Sequence, residues 1–217
     1  MLSRRPLPDQ GTPRVVAIGA SAGGLDAFQK LIKHLPVDTG MAFVLLSHIL
    51  RGSKSLLPEL LAKSTRMNVV QVKGDTKIEA NTVYVLPPDQ FMEFKNHMLH
   101  LVPRPKSPVN SAINYFLFSL ANTHHGNGAI GIVLSGRGAD GAEGIKELKE
   151  KRGGLTMAQS PESAGFRSMP QNAIQIDHVD YVLSPEEIAA KLVEMSADQS
   201  NGSTAETKVL WVRKPEN

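Results

Sequence analysis

The chain reads as an α/β domain with a doubly wound, mostly parallel sheet, helices on both faces in three αβα layers of Rossmann-like type, and a small β-hairpin. Three observations predict this. Short apolar runs of β type alternate with helical patterns through most of the 217 residues, and such alternation pairs strands in parallel because each crossover returns the chain to the same end of the sheet. Runs such as VVAI at 15–18 and AFVLL at 42–46 are continuously apolar, as strands covered on both faces are. Two of the runs pass straight into glycine-rich turns that open helices, the arrangement found at the ligand-facing edge of such sheets.

Residues 1–13 are polar with three prolines and read as a disordered lead-in. From residue 14 the predicted strands are 15–18, 42–46, 69–72, 83–86, 130–134, 155–158 and 181–183. Helical spacing falls at 25–34, 53–66, 111–124, 142–151 and 185–195, the last with Pro185 in a favoured first-turn position after Ser184. FMEFKNHMLHLV, at 91–102, alternates in two short halves about Lys95-Asn96 and predicts a hairpin at an edge or rim of the sheet. Beyond residue 195 the chain turns small, polar and aperiodic, so 196–217 reads as a linker-like tail after a single domain at 14–195.

Composition removes several classes of function. The sequence has no cysteine, which excludes disulfide scaffolds, thiolate metal sites and cysteine nucleophiles. A net charge of +3 with scattered basic residues and 5% aromatics gives no stripe or stacking platform for nucleic acid. Neither a run of about 20 apolar residues nor a signal-peptide core is present, so the expectation is a cytoplasmic protein without direct membrane insertion.

Gly19-Ala20-Ser21-Ala22-Gly23 follows the first strand and opens the first helix, matching the G-x-S-x-G elbow in which a sharp turn lifts a serine hydroxyl clear of the sheet. A phosphate loop and a plain N-cap are the alternatives for this segment. His48 lies just past the second apolar strand, within reach of Ser21 because adjacent strands are about 5 Å apart. Asp140 lies in the glycine loop SGRGADG before the helix at 142, either as that helix's cap or as the group that orients a histidine. Together they supply nucleophile, base and orienter for acyl transfer. Their chain order, Ser, His, Asp, differs from that of the α/β-hydrolases.

Residues 136–141, GRGADG, formally satisfy the dinucleotide fingerprint. Asp140 would repel a pyrophosphate there, and the next strand ends at Ala158-Gln159-Ser160 with only Glu162 nearby as an acid. His124-His125 close a helix, His97 and His100 sit in the hairpin and His34 ends a helix, with no spacing for a metal. Met157, Phe166 and Met169 read as core or rim packing.

Over about 14–195 the chain resembles the catalytic domain of the chemotaxis protein-glutamate methylesterase family, of CheB type. The likeness is carried in order by IGASAGG, the strand-end His48, GDTKIEANTVYVLPPDQFMEF, SGRGADGAEGIKELKEKRGG and AQSPESAGFRSMPQNAI. It implies that Ser21, His48 and Asp140 form a catalytic triad that hydrolyses glutamyl methyl esters on the cytoplasmic helices of methyl-accepting chemotaxis receptors, with deamidation of receptor glutamines as a companion activity. It implies no metal or organic cofactor, and backbone amides at Ala22 and Arg137 as oxyanion donors. The family usually has Thr, Gln and Met where this chain has Ala22, Ser47 and Arg137, and a His-Arg-Pro-Ser block where it has Pro108-Val109-Asn110-Ser111. Thirteen residues ahead of the domain leave no room for the usual receiver module. The chain therefore looks most like methylesterase modules joined to a receptor methyltransferase, a partner in cis or in trans. The alternative from another class is a non-catalytic module that docks a receptor helix or signalling partner on the same fold, and a third is an anion or nucleotide binder at the helix N-termini.

Overall fold

Alternate side chains of the central strand decide which helices lie on which face. The computed structural model describes residues 12–48, 52, 55–107, 110–123, 128–176 and 178–200. Its elements run β1 (Arg14–Ala20), α1 (Gly24–Lys33), β2 (Met41–Ser47), α2 (Leu57–Ala62), β3 (Asn68–Gln71), β4 (Thr76–Lys77), β5 (Thr82–Val85), β6 (Gln90–Lys95) and β7 (Met98–Pro103). They continue with α3 (Ala112–Thr123), β8 (Ala129–Val133), α4 (Ala142–Arg152), β9 (Leu155–Gln159), α5 (Ser168–Gln175), β10 (Tyr181–Leu183) and α6 (Pro185–Ser200). Seven strands form one sheet in the order β10-β9-β8-β1-β2-β5-β3, with every neighbouring pair parallel. This is the doubly wound architecture the alternation predicts.

From β1, Val15 and Ala17 join a core with Ile113, Phe116, Ile145, Leu148 and Met169 of α3, α4 and α5. Val16 and Ile18 face the other way, onto Phe28, Leu31, Leu61, Ile188 and Leu192 of α1, α2 and α6. Each of these large side chains is essentially removed from water, a gain of about 1.5–3 kcal/mol apiece against exposure. α6 opens with a reciprocal cap: the Ser184 N–H donates to Glu187 Oε2 (2.8 Å) and the Glu187 N–H to Ser184 Oγ (3.3 Å). β1 leads through α1 to β2 on one side, while β8 flanks it on the other. The crevice beyond the C-terminal ends of β1 and β8 is therefore the switch point where ligands gather in open sheets.

Four elements differ from expectation. The helix expected at 53–66 is shorter, Leu57–Ala62, with Pro58 in its first turn. Its far end is drawn off by the Thr65 hydroxyl, which accepts the Met67 N–H at 3.1 Å. The hairpin does not extend the main sheet: with β4 it forms a separate antiparallel sheet, β4-β7-β6, turning through Asn96 and His97, both at positive φ. That sheet packs on α3, where Phe91 and Tyr115 are 5.2 Å apart and the Phe94 N–H donates to Ser119 Oγ. α5 was not expected, no helical spacing being read between the strands at 155–158 and 181–183. In the structure Pro170 lies in the first turn, where a missing N–H costs nothing. α6 continues to Ser200, five residues into the expected tail. Residues 1–11 and 201–217, the rest of the lead-in and tail, lie outside the described residues, as do His124 and His125.

α3 crosses β1 at Gly19 because no side chain stands there: a Cβ on Gly19 would run into the Ile113 side chain, with Cδ1 at 2.9 Å. Ile113 is β-branched and fully buried, so it cannot swing away. Gly19→Ala is expected to cost about 1–3 kcal/mol through overpacking, read as a lower Tm in thermal unfolding.

Candidate active site

Ser21 follows β1 in a tight turn. Its N–H donates to Ser135 O (3.0 Å) and its carbonyl accepts the Gly24 N–H (2.8 Å). The turn needs Gly23 at φ 72°, the left-handed conformation that side chains avoid. Gly23 is also the N-cap of α1, with no side-chain cap bond. Ser21 is thus not the helix cap, and among the described residues its hydroxyl is committed to no hydrogen bond.

β1 and β2 pair with Ala20 opposite Ser47, so Ser21 and His48 are the next residues of neighbouring strands, which run about 4.8 Å apart. His48 donates through Nε2 to Asp140 Oδ2 at 2.7 Å, the two side chains being 18% and 7% exposed. This bond leaves Nδ1 as the nitrogen able to accept a proton.

Asp140 was expected either to cap the helix that follows it or to orient a histidine. It is hydrogen-bonded to the histidine, and the helix it caps is α3: Oδ2 accepts the Ile113 N–H and Oδ1 the Asn114 N–H, each at 2.9 Å. α4 is capped in return by Asn114, whose Oδ1 accepts the N–H groups of Gly141 (2.9 Å) and Gly144 (2.8 Å). The two helix N-termini exchange caps, and the carboxylate is held between them.

A second set of bonds fixes the glycine loop. Gly136 donates to Phe166 O (3.0 Å) and accepts from the Met169 N–H (3.0 Å). The Gly138 N–H donates to Ser168 Oγ (3.2 Å) and its carbonyl accepts from Asn172 Nδ2 (2.9 Å). Both flanks of Arg137 are pinned to α5 and the segment before it, while the Arg137 N–H has no acceptor among the described residues. The Ala22 N–H is likewise uncommitted. Ser135, 1% exposed, joins the two loops. Its hydroxyl donates to Ala22 O (2.9 Å) and accepts the Phe166 N–H (3.0 Å), and its own N–H donates to Gln159 Oε1 (2.8 Å).

These bonds bear on the alternatives. The amides of Gly136, Gly138 and Gly141 are all spent within the protein, so the three glycines of the loop have no N–H to offer a pyrophosphate. Elsewhere, His34 bonds Lys30 O, His100 bonds Asp75 and His97 bonds Thr12. Among the described residues no three His, Asp or Glu side chains group to hold a metal, and no helix is long and apolar enough to cross a membrane. Ser47 lines a small cleft beside His48 with Leu86, Pro87, Asp89, Gln90 and Arg104.

The structure therefore brings Ser21, His48, Asp140, Ala22 and Arg137 to one edge of the sheet. Sequence reasoning missed Asn114, Ser135, Gln159, Ser168 and Asn172. Some signal existed: Ser135 and Gln159 are polar ends to otherwise apolar strands, and Asn114 interrupts the apolar opening of α3, where asparagine is a poor helix former unless its side chain bonds backbone.

Residues 16–192 match the protein family described as CheB methylesterase. A putative protein-glutamate methylesterase/protein-glutamine glutaminase of Leptospira interrogans is 31% identical over 195 residues, covering 86% of this chain and 95% of that protein. Protein-glutamate methylesterase/protein-glutamine glutaminase 3 of Pseudomonas aeruginosa is 35% identical over 184 residues, covering 84% of this chain, which spans only 54% of that protein's length. The crystal structure of the Thermotoga maritima CheB methylesterase catalytic domain shares the fold, with a TM-score of 0.76 over 85% of this chain and 99% of that one at 24% identity.

The exchanged caps are testable in isolation. Asn114→Ala strands two N–H groups beside Asp140 and is expected to cost about 1–3 kcal/mol, with faster amide hydrogen exchange at Gly141 and Gly144. Asn114→Asp retains the acceptor and is expected to restore most of the loss in Tm.

Proposed function

Because the chain belongs to the CheB methylesterase family, we propose that Ser21, His48 and Asp140 are its catalytic triad and that it hydrolyses glutamate methyl esters on methyl-accepting chemotaxis receptors. The observation that carries this reading is the 2.7 Å bond between His48 and a carboxylate that is 7% exposed, at a strand end next to a serine with no capping duty. A module that only docked a helix would have no use for a shielded imidazole–carboxylate pair in that place.

In this mechanism Ser21 Oγ attacks the side-chain ester carbonyl as its proton passes to His48 Nδ1. Asp140, bonded to Nε2, fixes the tautomer and favours the imidazolium that forms. The uncommitted N–H groups of Ala22 and Arg137 receive the oxyanion, and the clamp on Gly136 and Gly138 holds the second of them rigid. Collapse breaks the bond to methoxide, which takes the proton from His48 and leaves as methanol. Water then attacks the acyl-serine, gives its proton to His48 and releases glutamate as Ser21 regains its hydrogen. With a glutamine side chain the same steps expel ammonia, which is the companion deamidation. The cytoplasmic helices of a receptor are the proposed substrate, the cytoplasm the proposed location, and a receptor methyltransferase in cis or in trans the proposed partner.

Methanol release from a methylated receptor fragment tests the reading. Ser21→Ala is expected to lower it by at least about 1,000-fold with the thermal transition unchanged; retained release would overturn the assignment. Asp140→Asn, which presents a donor where the imidazole needs an acceptor, is expected to lower kcat by roughly 10,000-fold while KM stays within a few-fold.

A further inference from the structure

Resting on the esterase reading above, we propose that the Arg137 guanidinium is a specificity-determining group: it recognises a carboxylate of the substrate beside the reacting ester, so the preferred substrate carries a second acid one helical turn from the methylated glutamate.

Arg137 is exposed and its guanidinium carbon lies 4.9 Å from the centre of the Phe166 ring. Four lysines of the surface are paired with carboxylates, Lys30 with Asp26, Lys149 with Asp180, Lys151 with Glu147 and Lys191 with Glu194. Arg137 has no ion pair among the described residues, and neither has the adjacent exposed Arg167. Stacking on an aromatic face holds the guanidinium plane and leaves its N–H edges free for a bidentate acceptor. Side-chain ordering is thereby largely met before any ligand arrives.

The stack is tied to the reacting centre. Phe166 lies against the Ser21 turn, where a Cβ on Gly23 would sit 3.1 Å from its Cδ2. Its N–H is bound by Ser135 Oγ, which also holds Ala22 O. Cation, ring and serine turn are consecutive neighbours in one bonded unit. The Asp140 carboxylate close by is already engaged by His48 and two amides.

A methyl ester is uncharged, so a cation at the rim has nothing to attract in the reacting group itself. What it can attract is another acid of the same peptide. On a helical substrate the residues three and four positions away share the face of the ester, about 5–6 Å from it. A group that gripped only the product glutamate would slow release from every substrate alike and create no preference among them.

The experiment uses one methylated receptor fragment in versions with Glu or Met at the positions three and four residues to either side of the ester, Met being neutral and inert to deamidation. Wild-type kcat/KM is expected to be about tenfold higher for the version with a neighbouring Glu, the size of one charge-assisted hydrogen bond at a part-exposed site. The preference is expected to lie mainly in KM and to shrink with salt. Arg137→Gln is expected to abolish the ratio between Glu and Met fragments, and Arg137→Lys to keep part of it. No preference in the wild type, or one that survives Arg137→Gln, overturns the proposal while leaving the esterase intact. Absence of methanol release from every fragment by folded wild-type protein overturns the esterase reading, and this proposal falls with it.

Discussion

Asp140 holds a carboxylate that is 7% exposed, and the C-terminal edge of the sheet is organised around keeping that charge satisfied. An uncompensated charge taken out of water costs several kcal/mol, so the position is tolerable only if donors surround it. They come from three directions: His48 at the end of β2, and the first two free amides of α3 at Ile113 and Asn114. The positive end of the α3 dipole adds to this. One carboxylate thus fixes where α3 begins, which nitrogen of His48 is spent, and which nitrogen is left free.

The helix that supplies those donors needs its own support, and receives it from the loop it stabilises. Asn114 takes the amides of Gly141 and Gly144, so α3 cannot shift without uncapping α4. Gly19 lets Ile113 rest directly on β1, which sets the depth of the whole arrangement. On the other side, Ser135 binds Ala22, Phe166 and Gln159 with one hydroxyl and one amide. The register of β1 against β2 and β8 then carries each loop to its place, since Gly19 is paired to both Leu46 and Val133. The serine turn, the histidine and the glycine loop share no sequence neighbourhood, yet bonds from Ser135 and Asn114 leave them little freedom relative to one another.

The strands and the candidate reactive groups were legible in the sequence because they obey local rules. Continuous apolar runs located all seven strands of the main sheet to within about two residues, and strand-end placement singled out Ser21, His48 and Asp140. What could not be read is what depends on distant pairing. The sequence leaves Asp140 open as a cap for its own helix, and only three dimensions reveal that it caps α3 while Asn114 answers for α4. The hairpin was recognised, but not its pairing with Thr76–Lys77 or its seat on α3, which a period-two pattern does not encode. α5 was hidden because its eight residues give a helical period little length in which to show. The reach of α6 to Ser200 exceeded the polar composition of its last turn.

Ala22 and Arg137, where the resemblance leads one to expect Thr and Met, take a specific meaning from this geometry. Both positions are proposed to serve the reaction through backbone N–H groups, and an amide is unchanged by any substitution other than proline. Their side chains are therefore free to vary without altering the oxyanion site, provided the flanking glycines stay bonded to Phe166, Ser168 and Asn172. On the proposed roles, chemistry and recognition are separated at the level of atoms within one residue: the Arg137 main chain would meet a demand common to every ester, whereas its guanidinium, over the Phe166 ring, is exposed to whatever accompanies the ester. A position that serves a reaction through its main chain can then vary in its side chain while the reaction does not, and such variation would fall on which substrates enter rather than on what is done to them.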